Sequence, residues 1–194
     1  RYWRNDYSFS AFGQRDSVGS LWLTAFVVKS FSQASPYIYV DPNVISKSLQ
    51  FILAQQTSSG SFRQVGMVHS SHLKGGLQGD VARAAYVLTA LVEARTVQNR
   101  PSIALTSAVA KVQSYIEGQL SLVTDNYTLA LSTYALKLSD SSLASEAITL
   151  LLARADRTGG TLSWRDSRKQ MVSSRWRSPY YRAPAADVEL TAYG

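Results

Sequence analysis

The stretch Asp80-Val81-Ala82-Arg83-Ala84-Ala85-Tyr86-Val87-Leu88-Thr89-Ala90-Leu91-Val92-Glu93-Ala94 decides the fold class. Between Asp80 and Glu93 its one charge is Arg83, and apolar residues occupy every side of a 3.6-residue period. That is the pattern of a helix covered all round. A membrane span needs about 20 apolar residues, more than this stretch provides, and no other run in the chain reaches that length. The cover must therefore come from neighbouring elements of the protein itself.

The flanking sequence supplies helices. Downstream, 103–120 puts Leu105, Ala108, Val109, Val112, Ile116 and Leu120 on one side and polar residues on the other. Next, 127–138, opened by Asp125 or Asn126, is again apolar nearly all round, and Leu143, Ala147, Leu150 and Leu151 mark an amphipathic helix that fades before Gly159-Gly160. Upstream, Leu21-Trp22-Leu23-Thr24-Ala25-Phe26-Val27-Val28 is expected to be buried on all sides. Asp41-Pro42 then reads as an N-cap with Pro at the first helical position, followed by a stripe of Ile45, Leu49 and Ile52. Asp80 and Asp187 are expected to cap helices in the same way, so the carboxylates Asp41, Asp80, Asp125 and Asp187 need no catalytic role.

Buried and half-exposed helices thus alternate, and the alternation repeats in sequence. The aromatics of Leu23-Thr24-Ala25-Phe26, Arg83-Ala84-Ala85-Tyr86, Ser132-Thr133-Tyr134 and Leu190-Thr191-Ala192-Tyr193 recur at intervals of 60, 48 and 59 residues. Gln56-x-x-x-Gly60-Ser61-Phe62 and Gly159-Gly160-x-x-x-Trp164 echo each other after the half-exposed helices. Hairpins with one covered helix and one wet helix fit an all-α fold, an α/α toroid of alternating inner and outer helices. An extended solenoid is the competing arrangement. Three hairpins and the start of a fourth make an incomplete ring.

Composition narrows the chemistry. The 194 residues carry 20 Lys+Arg against 13 Asp+Glu, a net charge of +7, with two His and no Cys. A chain without Cys holds no disulfide, thiolate nucleophile or Cys-based zinc site. With 45% hydrophobic and 17% charged residues, it belongs with globular proteins. The start at Arg1-Tyr2-Trp3-Arg4 and the end within a helix opening read as a single partial domain, 1–194, truncated at both ends.

Six separated motifs carry a family resemblance: Tyr7-x-Phe9-x-Ala11-Phe12; Ser20-Leu21-Trp22-Leu23-Thr24-Ala25-Phe26-Val27; Gln55-Gln56 with Gly60-Ser61-Phe62; Gly75-Gly76-Leu77; Tyr127-Thr128-Leu129-Ala130 with Tyr134-Ala135-Leu136; and Glu189-Leu190-Thr191-Ala192-Tyr193. Together they resemble the thioester domain of the complement C3, α2-macroglobulin, CD109 and insect thioester-containing protein family. Arg1-Tyr2-Trp3-Arg4 and Tyr37-Ile38-Tyr39-Val40-Asp41 look most like its invertebrate branch.

The resemblance implies an α/α toroid and, in the parent protein, an internal thioester between a Cys and a Gln that lie upstream of this chain. Once exposed by proteolysis, the thioester acylates an amine or hydroxyl, a single-turnover transfer rather than enzyme catalysis. The implied partners are microbial surface amines or hydroxyls, or target proteases, and other macroglobulin-type domains of the same protein. The implied location is extracellular, for a secreted protein of innate immunity acting as opsonin or protease inhibitor. No cofactor and no metal are implied.

In many family members a His in the loop after Gly-x-Phe attacks the thioester first, giving an acyl-imidazole. Ungapped alignment of Phe62 and Gly75-Gly76 puts Ser70 on that position, and a one-residue shift brings His69 onto it. With Ser70 the acyl-imidazole route is lost and amines are favoured. With His69, hydroxyl-rich glycans become targets. His69 and His72 otherwise read as ordinary loop residues. Without a carboxylate cluster nearby they make a weak metal pair.

Between 163 and 186, Arg165, Arg168, Lys169, Arg175, Arg177 and Arg182 face Asp166 alone, so five of the seven net charges sit in one segment. Interleaved Trp164, Trp176, Tyr180 and Tyr181 give it the look of a nucleic-acid footprint. A surface loop of packed aromatics and solvated arginines is the preferred reading, with steering toward anionic microbial surfaces as a further one. Asn126-Tyr127-Thr128 matches the N-glycosylation sequon, though Asn126 is also a helix-start residue. The rival class is a catalytic α/α toroid. A glycosidase needs paired carboxylates across a cleft, a terpene cyclase an Asp-rich run and a prenyltransferase a zinc set, and the sequence identifies none of these.

Overall fold

The computed structural model describes residues 2–66, 77–98, 101–165 and 190–193. Six helices of ten residues or more account for most of them: α1 (Leu21–Ala34), α2 (Pro42–Ala54), α3 (Gly79–Thr96), α4 (Ile103–Gln119), α5 (Asn126–Leu138) and α6 (Ala144–Ala153). Four begin with a side chain accepting an amide hydrogen: Ser20 from Leu23, Asp41 from Asn43, Ser102 from Leu105 and Asp125 from Thr128. Each cap satisfies a donor that the first turn leaves free and contributes about 1 kcal/mol.

The expectation for Asp80 is corrected. Gln78 holds the N-cap position without a side-chain bond, and Asp80 falls inside the first turn of α3. Because the helix starts at Gly79, Asp80 lies past the cap position, and its carboxylate pairs with Arg83 one turn on. The expected cap at Asp187 lies outside the described residues.

α3 packs against α1 on one flank and α5 on the other, while α2, α4 and α6 each pack back on the inner helix that precedes them. Trp22 stacks on Tyr86, and further along Gln33 Nε2 donates to Glu93 Oε1 at 2.8 Å, so α1 and α3 run parallel. Although α1 and α5 flank α3, Lys29 Nζ of α1 reaches to 5.5 Å from the Tyr134 ring of α5. The inner row is therefore curved, concave on this side. An inner row wrapped by an outer one is the α/α toroid arrangement that the alternation predicts. Among the described residues, β structure is limited to isolated bridges. No helix there is long and apolar enough to cross a membrane.

Burial follows the two kinds of helix. Ala82, Ala84, Ala85, Val87, Leu88, Ala90, Leu91 and Ala94 of α3 are fully covered, as are Leu129, Ala130, Leu131, Ala135 and Leu136 of α5. On α2 the buried stripe is Ile45, Leu49 and Ile52, and on α4 it is Leu105, Ala108, Val109, Val112 and Ile116. α1 departs from expectation. Leu21, Ala25 and Val28 are buried, but Phe26 is 47% exposed and Phe31 37%. Trp22, Phe26, Lys29 and Gln33 share one stripe of α1, and it is this stripe that meets Tyr86, Tyr134 and Glu93 at the concave side.

The glycine-aromatic echo is structural. Gln56 bridges to Phe62 after α2, and Asp156 bridges to Ser163 after α6, each loop delivering a buried aromatic, Phe62 or Trp164. Trp164 Nε1 donates to Leu151 O at 2.8 Å, and Gln56 Nε2 donates to Ala108 O of α4 at 3.0 Å. Gly60 makes the first loop possible. Its φ is +93°, and a Cβ there would stand 2.3 Å from Lys111 O.

Within α5 the Ser132 hydroxyl is buried and bonds to nothing, so it bears a desolvation cost with no return. Ser132→Ala is expected to be neutral or up to about 1 kcal/mol stabilising, whereas Leu88→Ala in α3 should cost about 2–5 kcal/mol. Urea midpoints at unchanged slope would measure both.

Candidate functional site

The parallel starts of α1 and α3 meet a single loop segment, residues 62–66. The Leu21 amide, free because it begins a helix, donates to Val65 O at 3.0 Å. Gly66 turns at φ +70°, and a Cβ on it would stand 2.4 Å from Gly19 O and 2.7 Å from Ser20 Cα. Only glycine allows the loop to lie this close to the start of α1. Ser20 is held in turn, since its amide donates to Phe9 O at 2.8 Å.

α3 holds the same segment through Arg83. Arg83 Nε donates to Phe62 O at 3.0 Å, Nη1 to Gln64 Oε1 at 3.3 Å, and Nη2 to Asp80 Oδ1. The side chain is only 17% exposed. A charge so covered requires partners, and here one guanidinium serves a backbone carbonyl, an amide side chain and a carboxylate. Tyr115 of α4 lies in the same field. Burial pushes its phenol above the ordinary value of 10.0, and the Asp80 carboxylate adds to the rise, against a smaller opposing pull from Arg83.

These walls line a half-open cavity of about 250 Å³. Leu21, Trp22, Val65, Leu77 and Tyr86 give it apolar sides, and Gln64, Gln78 and Arg83 supply polar groups. Gly66 and Leu77, the described residues on either side of 67–76, both line it.

His69, Ser70 and His72 lie outside the described residues, as do Arg168, Lys169, Arg175, Arg177 and Arg182. Arg165 is described. Its side chain is 72% exposed, with Nη2 3.5 Å from Asp156 Oδ2, and its carbonyl accepts from Asn126 Nδ2 at 3.0 Å. The sequon nitrogen is thus engaged, and the Thr128 hydroxyl is buried without a partner. Among the described residues no group of three or more His, Cys, Asp or Glu is placed to hold a metal ion.

Sequence reasoning passed over Arg83, Gln64, Gly66 and Tyr115. For Arg83 a signal was present. A single Arg inside an otherwise apolar run demands buried acceptors, and Asp80 three residues before it supplies one of them.

The sequence profile described as the A-macroglobulin TED domain matches residues 1–194. Ovostatin of Gallus gallus is 32% identical over 193 residues, which cover 99% of this chain and 13% of ovostatin. The chain therefore spans about an eighth of the length of that relative.

Gly66→Ala should cost about 2 kcal/mol or more, because a left-handed φ and a backbone collision coincide. Faster hydrogen exchange at the Leu21 amide would localise the damage. Tyr115 makes a separate prediction. Its raised pKa means the folded state holds the proton more tightly than the unfolded chain, so this contribution to stability is complete below pH 10.0 and is lost as pH rises through the raised value. In denaturant titrations Tyr115→Phe should show a shallower alkaline loss than the wild type.

Proposed function

Because this chain belongs to the A-macroglobulin family as its TED domain, we propose that it serves a secreted defence protein as the platform of a one-time acyl transfer. The observation that carries this reading is the match of the whole chain to the TED profile. Family members of this kind are not classical enzymes. The thioester Cys and Gln belong to the parent protein, in sequence upstream of this chain. On activation, an incoming amine forms a bond to the Gln-derived carbonyl carbon as the carbon–sulfur bond breaks, and the amine's proton passes to the departing thiolate. Targets are amines or hydroxyls on a microbial surface, or on a protease that has cut the parent protein.

The cavity between the starts of α1 and α3 is the place we assign to this transfer. It supports the assignment that residues 67–76, which include Ser70 and His69, join the described structure at two of its walls, Gly66 and Leu77. With Ser70 in the family's His position there is no imidazole to take the acyl group, so direct attack by the better nucleophile prevails. The basic residues Arg165, Arg168, Lys169, Arg175, Arg177 and Arg182 draw the domain toward anionic surfaces, an attraction that salt weakens. A glycan at Asn126 requires the loss of its bond to Arg165 O.

The test uses the intact parent protein. Methylamine should release one titratable thiol, and proteolysis in a mixture of labelled methylamine and glycerol should incorporate mainly the amine. Equal or greater glycerol incorporation would overturn the Ser70 assignment in favour of His69. Absence of a methylamine-released thiol would overturn the thioester reading.

A further inference from the structure

We propose that Arg83 is a positioning residue for acyl transfer, fixing the loop wall of the cavity from the α3 side; this rests on the reading just given of the cavity as the transfer site. The wall is residues 62–66, and each part of it is held differently. Phe62 is anchored by its ring, which is 2% exposed in the core. Val65 O is held by the Leu21 amide, and Gly66 abuts Gly19. Between those anchors, Phe62 O and Gln64 Oε1 both accept hydrogens from Arg83. Arg83 is thus a polar tie between α3 and a wall that α1 holds at its other end.

The planar guanidinium suits this task and an ammonium does not. Its donors lie in one rigid fork, which meets acceptors on Phe62, Gln64 and Asp80 at once. The Arg83–Asp80 ion pair alone does not account for Arg83, because the Asp80 side chain is 67% exposed and engages only one guanidinium nitrogen, while the other two donate to the wall. What Arg83 controls is where Gln64 and the wall stand relative to a nucleophile entering beside them. Since displacements on the order of 1 Å cost attack rates up to about 100-fold, loosening the wall should cost the bound nucleophile more than it costs bulk water. The partition of the acyl group between label and hydrolysis then falls, while folding is largely preserved.

The experiment uses the intact parent protein as wild type, Arg83→Gln, Arg83→Lys, Gln64→Ala and Asp80→Asn. Each is activated by protease with labelled methylamine, and covalent label is compared with hydrolysed product and with the thermal midpoint. Arg83→Gln is expected to lower the label-to-hydrolysis ratio about tenfold, Arg83→Lys to rescue it only in part, and Asp80→Asn to leave it within about twofold of wild type. Gln64 is exposed, so Gln64→Ala folds even if Arg83→Gln does not, and it should move the ratio in the same direction by a smaller factor. An unchanged ratio in Arg83→Gln or, where that variant does not fold, in Gln64→Ala overturns the proposal. So does a drop in Asp80→Asn as large as in Arg83→Gln. A wild-type protein that yields no thiol with methylamine overturns the underlying thioester reading instead, and the positioning role falls with it.

Discussion

The close approach of neighbours around α3 is the constraint on which the rest depends. α1, α4 and α5 all pack against this one helix. Ala82, Ala84, Ala85, Ala90 and Ala94 sit fully covered among them, and their small side chains let neighbouring backbones come near. Past its exposed first residues such a helix has little wet surface on which to place charge, so the largely covered Arg83 must be neutralised locally. The loop that satisfies it is thereby fixed, and the cavity wall follows from the packing of the core. Enlarging one of these alanines would push out a neighbouring helix at a cost of about 1–3 kcal/mol.

Much of the architecture was legible because helical periodicity reports burial directly. The stripes on α2 and α4 name the residues that the structure buries, and Asp41 and Asp125 open their helices as the sequence implies. Where reading failed, the causes differed. α3 starts at Gly79, one residue before Asp80, so Asp80 falls inside the first turn and pairs with Arg83 of the same helix instead of capping. α1 has the composition of a covered helix, yet its Trp22-Phe26-Lys29-Gln33 stripe turns to the concave side. Over 21–28, Trp22 and Phe26 are as apolar as the buried Leu21, Ala25 and Val28, so composition does not separate the two faces.

The site was legible only in outline. The glycines and aromatics of the 55–62 motif announce a shaped loop, and the structure explains them: Gly60 by its contact with Lys111 O, Phe62 by its place in the core. Gly66 is of the same kind but belongs to no repeated motif, and its partner Gly19 lies far off in sequence, so only the fold reveals the need for it. Arg83 was visible as a misplaced charge. That its acceptors would be Phe62 O and Gln64 required knowing where the loop returns.

One consequence follows from the parallel course of α1 and α3. Their first turns end side by side at the cavity, and the aligned peptide groups of each helix leave a partial positive charge of roughly half a unit at that end. The two macrodipoles therefore point the same way. Any group there that gains negative charge is favoured by about 0.3–1 kcal/mol from each helix. Backbone direction alone thus gives this end of the arc an electrostatic polarity that no side chain has to supply.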